Sequence, residues 1–224
     1  MGVSSPIRIW DLPTRCFHWL LVLCLIGSLV TIKLGGLWVD WHARFGYAAL
    51  VLIGFRLVWG VVGPEHARFN RFVRGPRAVL DYVRHCRPAA GHNPLAALSV
   101  LALLAAIGFQ AVSGLFVNDA IAFDGPLVRF VERELSDQIT AWHKFNEWVI
   151  LSLVGLHLLA IAAYSWKGHR LVGPMIHGDK AANDVPPGTL ASQDNLAIRL
   201  KALLIAAVIA LSVWWLVSLP PPVY

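Results

Sequence analysis

Five long apolar runs constrain this chain more than any other feature. They cover approximately residues 16–36, 42–63, 94–117, 143–166 and 198–219. A helix needs about 20 apolar residues to cross the hydrocarbon core of a bilayer. In lipid every backbone N–H and C=O must be paired internally, and a continuous apolar run does that as a helix. The expected fold is therefore an all-α integral membrane protein. Of the residues, 57% are hydrophobic and 14% charged, where a soluble domain has about 25% charged. Several of the 10 Trp fall near run ends, among them Trp19, Trp38, Trp41, Trp142 and Trp166. Indoles favour the headgroup region.

The first two runs are separated by a tight turn from Gly35 to Trp41. The third opens at Asn93-Pro94, a cap residue followed by proline at the first helical position. The fifth stops at Pro220-Pro221-Pro222. The first run does not read as a removable signal peptide, because it is long, follows a polar lead and lacks a small-x-small cleavage site.

Lys and Arg counts orient the runs, since cytoplasmic loops are enriched in both. The lead 1–15 has Arg8 and Arg15. Loop 64–93 has Arg68, Arg71, Arg74, Arg77, Arg84 and Arg87, and segment 167–201 has Lys167, Arg170, Lys180, Arg199 and Lys201. These segments alternate onto one side, expected to be cytoplasmic. Segment 118–142 has Arg129 and Arg133 against Asp119, Asp124, Glu132, Glu134 and Asp137, and is expected to be periplasmic in a bacterial inner membrane. The N-terminus is then inside and the C-terminus outside. The net charge of +6 follows this topology and is not a nucleic-acid signal.

His18, His42, His143 and His157 each lie in or at the edge of an apolar run. Polar rings in lipid face the bundle interior and a partner. His143 and His157 are fourteen residues apart in one run, so they face nearly the same way, about 21 Å apart along a helix axis. Topology pairs the four by depth: His18 with His157 near the inner side, and His42 with His143 at the outer surface, where both begin helices. A lone histidine at a helix end is more often a hydrogen-bonded interfacial group than a ligand. Four at matched depths point instead to two bis-histidine haems. Such ligation leaves no open position on the iron and suits electron transfer. The Cys16, Cys24 and Cys86 set contains no Cys-x-x-Cys-His, so the haems are expected to be non-covalent b type, and Cys16 and Cys24 read as small buried residues. His66, His85, His92, His169 and His177 read as solvated or capping groups.

At these residues the chain resembles the bacterial cytochrome b-561 family, which includes the b-type cytochrome subunits of nickel–iron hydrogenases. The resemblance runs through Ile9-Trp10-Asp11-Leu12-Pro13-Thr14-Arg15-Cys16-Phe17-His18-Trp19 and Trp41-His42-Ala43-Arg44-Phe45-Gly46-Tyr47. It continues in Arg56-Leu57-Val58-Trp59-Gly60-Val61-Val62-Gly63, Gly91-His92-Asn93-Pro94-Leu95, Trp142-His143-Lys144 with His157, and Gly173-Pro174-Met175-Ile176-His177-Gly178. It covers about residues 7–180 in order. The resemblance implies that His18, His42, His143 and His157 are axial ligands of two b haems. It also implies electron exchange between a quinone and a periplasmic redox partner, or, in one branch, oxidation of superoxide with quinone as acceptor.

The expected domain is one transmembrane unit over 1–224, with a four-helix haem bundle at 7–180 and an added helix at about 198–219. That fifth helix, absent from the simplest family members, reads as a lipid-facing support, or as a docking face for another membrane subunit or a second copy. Arg56 lies fourteen residues after His42 on nearly the same face. A buried cation needs a partner, and a haem propionate fits a guanidinium fork; the alternative is snorkelling to the inner headgroups. Gly27, Gly46, Gly54 and Gly155 leave room for a porphyrin, or for close helix packing. Arg56 and Lys167 are the quinone-site candidates. The expected function is electron transfer through two haems between the quinone pool and a c-type cytochrome or hydrogenase-like subunit. The alternatives are a superoxide:quinone oxidoreductase and a structural or assembly subunit. The acidic outer segment favours a basic protein partner, whereas Lys33, Arg44 and Lys144 favour an anionic substrate.

Overall fold

The computed structural model describes residues 5–85, 89–120 and 123–219. Cys86, Arg87 and the Pro220-Pro221-Pro222 stop lie outside the described residues. In chain order the elements are β1 (Ile7–Arg8), α1 (Leu12–Leu34), α2 (Val39–Val62), α3 (Phe69–Phe72), α4 (Pro76–His85), α5 (Pro94–Ser113), α6 (Arg133–Trp166), α7 (Val172–His177), β2 (Asp179–Lys180) and α8 (Leu196–Val217). Among the described residues, five helices are long and apolar enough to span a membrane: α1, α2, α5, α6 and α8.

Four of the five spanning helices start before their apolar runs, α1 and α6 by the most. α1 begins at Leu12 because Asp11 caps it: the Thr14 amide donates to Asp11 Oδ1 at 2.9 Å and the Thr14 hydroxyl to Oδ2 at 2.8 Å. α6 begins at Arg133, ten residues before the expected start at 143. Its first turns are polar but buried along one stripe. Ser136 donates to Phe116 O and Thr140 to Ser136 O, both at 2.8 Å. The helix has 34 residues, about 51 Å at 1.5 Å per residue, longer than a hydrocarbon core of about 30 Å. His143 therefore does not begin a helix. The turn from α1 to α2 depends on Gly35 and Gly36, whose φ values of +65° and +56° lie in the left-handed region that glycine enters freely.

Contacts divide the chain into two units, and each takes a part of all five spanning helices. The first contains the residues up to His18, Arg56–Ala102 and Val154–Leu203. In it β1 pairs antiparallel with β2, Ile7 opposite Lys180 and Arg8 opposite Asp179. Ile9, Trp10 and Val185 form a small buried core. Asp194 ties the amino-terminal segment to α8, at 3.2 Å from Arg8, 3.7 Å from Arg15 and 2.9 Å from Arg199.

The second unit contains Trp19–Phe55, Leu103–Leu153 and the residues from Leu204 onward. The Phe45 ring lies on Gly27, where a Cβ would come within 2.6 Å of it. Ile209 of α8 packs on Gly54, 3.1 Å from where a Cβ would stand. Gly27 and Gly54 thus serve helix packing rather than a cofactor face. Leu211, Trp214 and Trp215 on α8 are exposed, as a helix face against lipid is.

Candidate functional site

In the second unit, His42 of α2 and His143 of α6 face each other. Their ring centroids are 6.3 Å apart and their planes cross at 88°. Two metal–imidazole bonds of about 2 Å each, plus half a ring on either side, span that distance.

Hydrogen bonds orient both rings. His42 Nδ1 donates to Ser28 O of α1 at 3.0 Å, which leaves the lone pair on Nε2. The Ser113 hydroxyl donates to Gln110 O at 3.2 Å, so its oxygen accepts from His143 Nδ1 at 2.9 Å. The lone pair of His143 is then also on Nε2, where it accepts from the Gln110 amide at 3.0 Å. Gln110 is held in turn, because Asn146 donates to its Oε1 at 2.8 Å and to Ala106 O at 2.9 Å. A backbone carbonyl or hydroxyl fixing the tautomer of a ligating histidine is how metal sites orient their ligands. Beside the pair is a cavity of about 210 Å³, lined by Leu25, Ser28, Gln110, Lys144 and Ile150 among others. Gly46 and Gly155 face open space, with nothing within 4 Å of a Cβ.

In the first unit, His18 of α1 and His157 of α6 are close enough to interact electrostatically. Arg56 of α2 is 2% exposed and does not snorkel. Its Nη1 donates to Ala67 O at 3.0 Å and its guanidinium lies 4.7 Å over the Phe69 ring. Asp11 also acts on it electrostatically. Asp11 is held in turn by Trp59, which is fully buried one turn after Arg56 and donates to Asp11 Oδ1 at 3.1 Å. Lys167 is exposed beyond the end of α6.

His92 departs from its solvated reading. Its ring sits between Trp10 and Phe72, with centroids 4.7 and 4.6 Å away, and its Nδ1 is buried without a partner. Burial first, then the charges of Arg56, Lys180, His66 and His157, hold its pKa down to about 3. The imidazole is therefore neutral at physiological pH. The sequence signal nearby is Asn93, which caps α5 through the Ala96 amide at 2.8 Å. A cap marks a helix start and says nothing of where the preceding loop folds back. His85, His169 and His177 are exposed, and His66 bonds the loop carbonyl of Leu190 at 2.9 Å.

Residues 9–178 match the family described as prokaryotic cytochrome b561. The chain belongs to that family. No curated protein and no solved structure matches it. As a prokaryotic cytochrome b561 it is a multi-pass membrane protein that binds b-type haem and transfers electrons across the membrane. α8 lies beyond the matched residues. Among the described residues no three His, Cys, Asp or Glu side chains gather as a protein-only metal site would need. A haem iron takes only two protein ligands, and the facing imidazoles of His42 and His143 fit that demand. The orphaned His92 Nδ1 and the buried Arg56 fit a group with acidic arms in the first unit.

Proposed function

We propose that this cytochrome b561 holds two b haems, one between His18 and His157 and one between His42 and His143, and passes electrons between the membrane quinone pool and a periplasmic redox protein. The observation that carries this reading is the His42–His143 pair, 6.3 Å apart, with both lone pairs on Nε2 and that of His143 accepting from the Gln110 amide, a bond that an iron would replace. When bound, haem supplies reversible one-electron chemistry, and bis-histidine ligation keeps oxygen off the iron. The chain's own contribution is ligand orientation, burial and charge. α6 carries one histidine of each pair, fourteen residues apart, about 21 Å along its axis. That spacing leaves each histidine room to serve a haem of its own.

The partner side is read from charge. Asp119, Asp124, Glu132, Glu134 and Asp137 are all exposed, a surface suited to a basic c-type cytochrome or a hydrogenase-like subunit. Superoxide, an anion, would meet those carboxylates first. Lys33 is already paired with Glu147 at 2.7 Å and Arg44 rests on the Trp41 ring at 4.9 Å, which weakens the superoxide:quinone oxidoreductase alternative.

The test is the haem-to-protein ratio of the purified protein, with acid-acetone extraction to establish non-covalent attachment. Two haems per chain are expected. His18→Ala or His157→Ala should remove one, and His42→Ala or His143→Ala the other. A ratio near one in the unmutated chain, or loss of the same haem from His18 and His42 variants, overturns the pairing.

A further inference from the structure

His92 Nδ1 is shut from solvent and has no hydrogen-bond partner among the described residues. A buried polar atom without a partner is a standing cost to the fold, and native chains carry few unless a bound group completes the bond. What surrounds this one is specific. Trp10 and Phe72 wall the imidazole on two sides. Phe72 leads to Phe69 at 5.7 Å, and the Arg56 guanidinium lies over Phe69. Arg56, Lys180, His66 and His157 all act electrostatically on His92.

The carboxylates nearby are already engaged. Asp11 accepts from Thr14 and Trp59, and Asp184 acts on Lys180, whose Nζ donates to Ala90 O at 2.7 Å. A guanidinium has five N–H groups, so Arg56 can hold an acceptor beyond Ala67 O. A neutral imidazole and a buried guanidinium among aromatic rings suit one negatively charged, planar acceptor.

We propose that Arg56 and His92 together clasp one carboxylate, and that this carboxylate is a propionate of the haem held by His18 and His157. The inference rests on that haem assignment and adds His92 as a second binding group. His157, one ligand of that haem, lies within electrostatic reach of His92, and all five residues belong to the same unit when Trp10 is counted with them. His92 contributes an N–H and Arg56 a charged fork. Both withdraw negative charge from the propionate. Without them the bare carboxylate stabilises ferric over ferrous iron.

The experiment compares the full chain loaded with haem b and with haem dimethyl ester, whose propionates are esterified. A His42→Ala background isolates the haem of interest. With haem b, His92→Leu and Arg56→Leu should each shift the midpoint potential downward, and His92→Gln, which keeps an N–H, should recover part of the shift. With the ester, all three should titrate with the parent. A shift that survives esterification, or no shift with haem b, overturns the clasp. A shift in quinone-analogue affinity without a change in potential also overturns it, since the pair would then hold a quinone oxygen. Resonance Raman of the propionate bending mode reads the same contact: the mode should move in His92→Leu and return toward the parent in His92→Gln, and an unchanged mode in His92→Leu counts against it. Failure of the haem assignment is read separately, as undiminished haem content in His18→Ala.

Discussion

The imidazole planes of His42 and His143 cross at 88° with their centroids 6.3 Å apart. A ferric haem held by imidazoles at this angle would have nearly degenerate π-type d orbitals and so a low-spin EPR signal of high g anisotropy. The oxidised protein should show such a signal from this haem. It should vanish in His42→Ala and His143→Ala and persist in His18→Ala. An ordinary rhombic signal from the His42–His143 haem would mean parallel planes and would contradict the geometry.

Ser113 accepts from His143 Nδ1 at 2.9 Å. Such a partner raises the basicity of a ligand, and its loss typically costs about 10–100-fold in metal affinity. Ser113→Ala should therefore weaken retention of this haem and raise its potential, because a poorer donor stabilises ferric iron less. Ser113→Thr keeps the hydroxyl and should behave like the parent. Haem retention on dilution in detergent and a redox titration check both effects.

Asp11 is fully buried and serves two helices, capping α1 and accepting from Trp59 of α2. Asp11→Ala loses a cap worth about 1 kcal/mol and removes the acceptor of the buried Trp59 indole N–H, at a cost of about 1–3 kcal/mol. Trp59→Phe removes the donor and should be milder on the cap. Thermal melting in detergent should rank the parent above Trp59→Phe and both above Asp11→Ala. His18 stands on the second turn of α1, so its haem should be lost with the cap.

The five spans were legible because an apolar run of that length has one solution in lipid. The start of α6 was not, because Glu134, Ser136, Asp137 and Gln138 are polar and their helix is held by Ser136 donating to Phe116 O and Thr140 accepting from the Asn118 amide rather than by an apolar face. For the same reason His143 was placed at a helix start and lies ten residues inside. The pairing proposed for the four histidines follows from topology. The orientation of His42 and His143 does not, since it depends on a carbonyl of Ser28 and a hydroxyl of Ser113 supplied by other helices. Arg56 was recognisable as a costly residue, but its acceptor, Ala67 O, comes from a loop with no periodic signal. A loop histidine such as His92 carries no mark in the sequence of the aromatic rings that close over it.

Asp194 should govern the acid limb of stability. Burial would raise its carboxyl, but hydrogen bonds from Arg199 and the Leu12 amide, with the charges of Arg199 and Arg8, outweigh that and hold it below the usual carboxylate value. A carboxyl lowered in the folded state stabilises above its unfolded pKa, and that stability is lost as pH falls through the folded value. The loss should begin near pH 4, about the unfolded carboxylate value. Asp194→Asn should melt lower at neutral pH and lose less on acidification. A parallel fall in both proteins between neutral pH and pH 3 would remove Asp194 from this role.

Docking of the redox partner should depend on salt. Glu134 and Asp137 project from the exposed first turns of α6, and Asp119, Asp124 and Glu132 are exposed on the segment before it. Asp137 accepts from Asn118 at 2.9 Å and Asp119 from the Phe123 amide at 2.8 Å, and both keep their negative charge. Exposed charges are screened beyond about 8–10 Å at physiological ionic strength, and complementary charge acts mainly on the association rate. Electron transfer to a basic cytochrome c should slow as salt rises. Converting Asp119, Asp124, Glu132 and Glu134 together to their amides should slow it at low salt and flatten the salt dependence, with haem content unchanged. Stopped-flow rates over a salt series measure this. Equal rates for parent and variant at low salt would show that the partner docks elsewhere, and a faster variant would point to an anionic substrate such as superoxide.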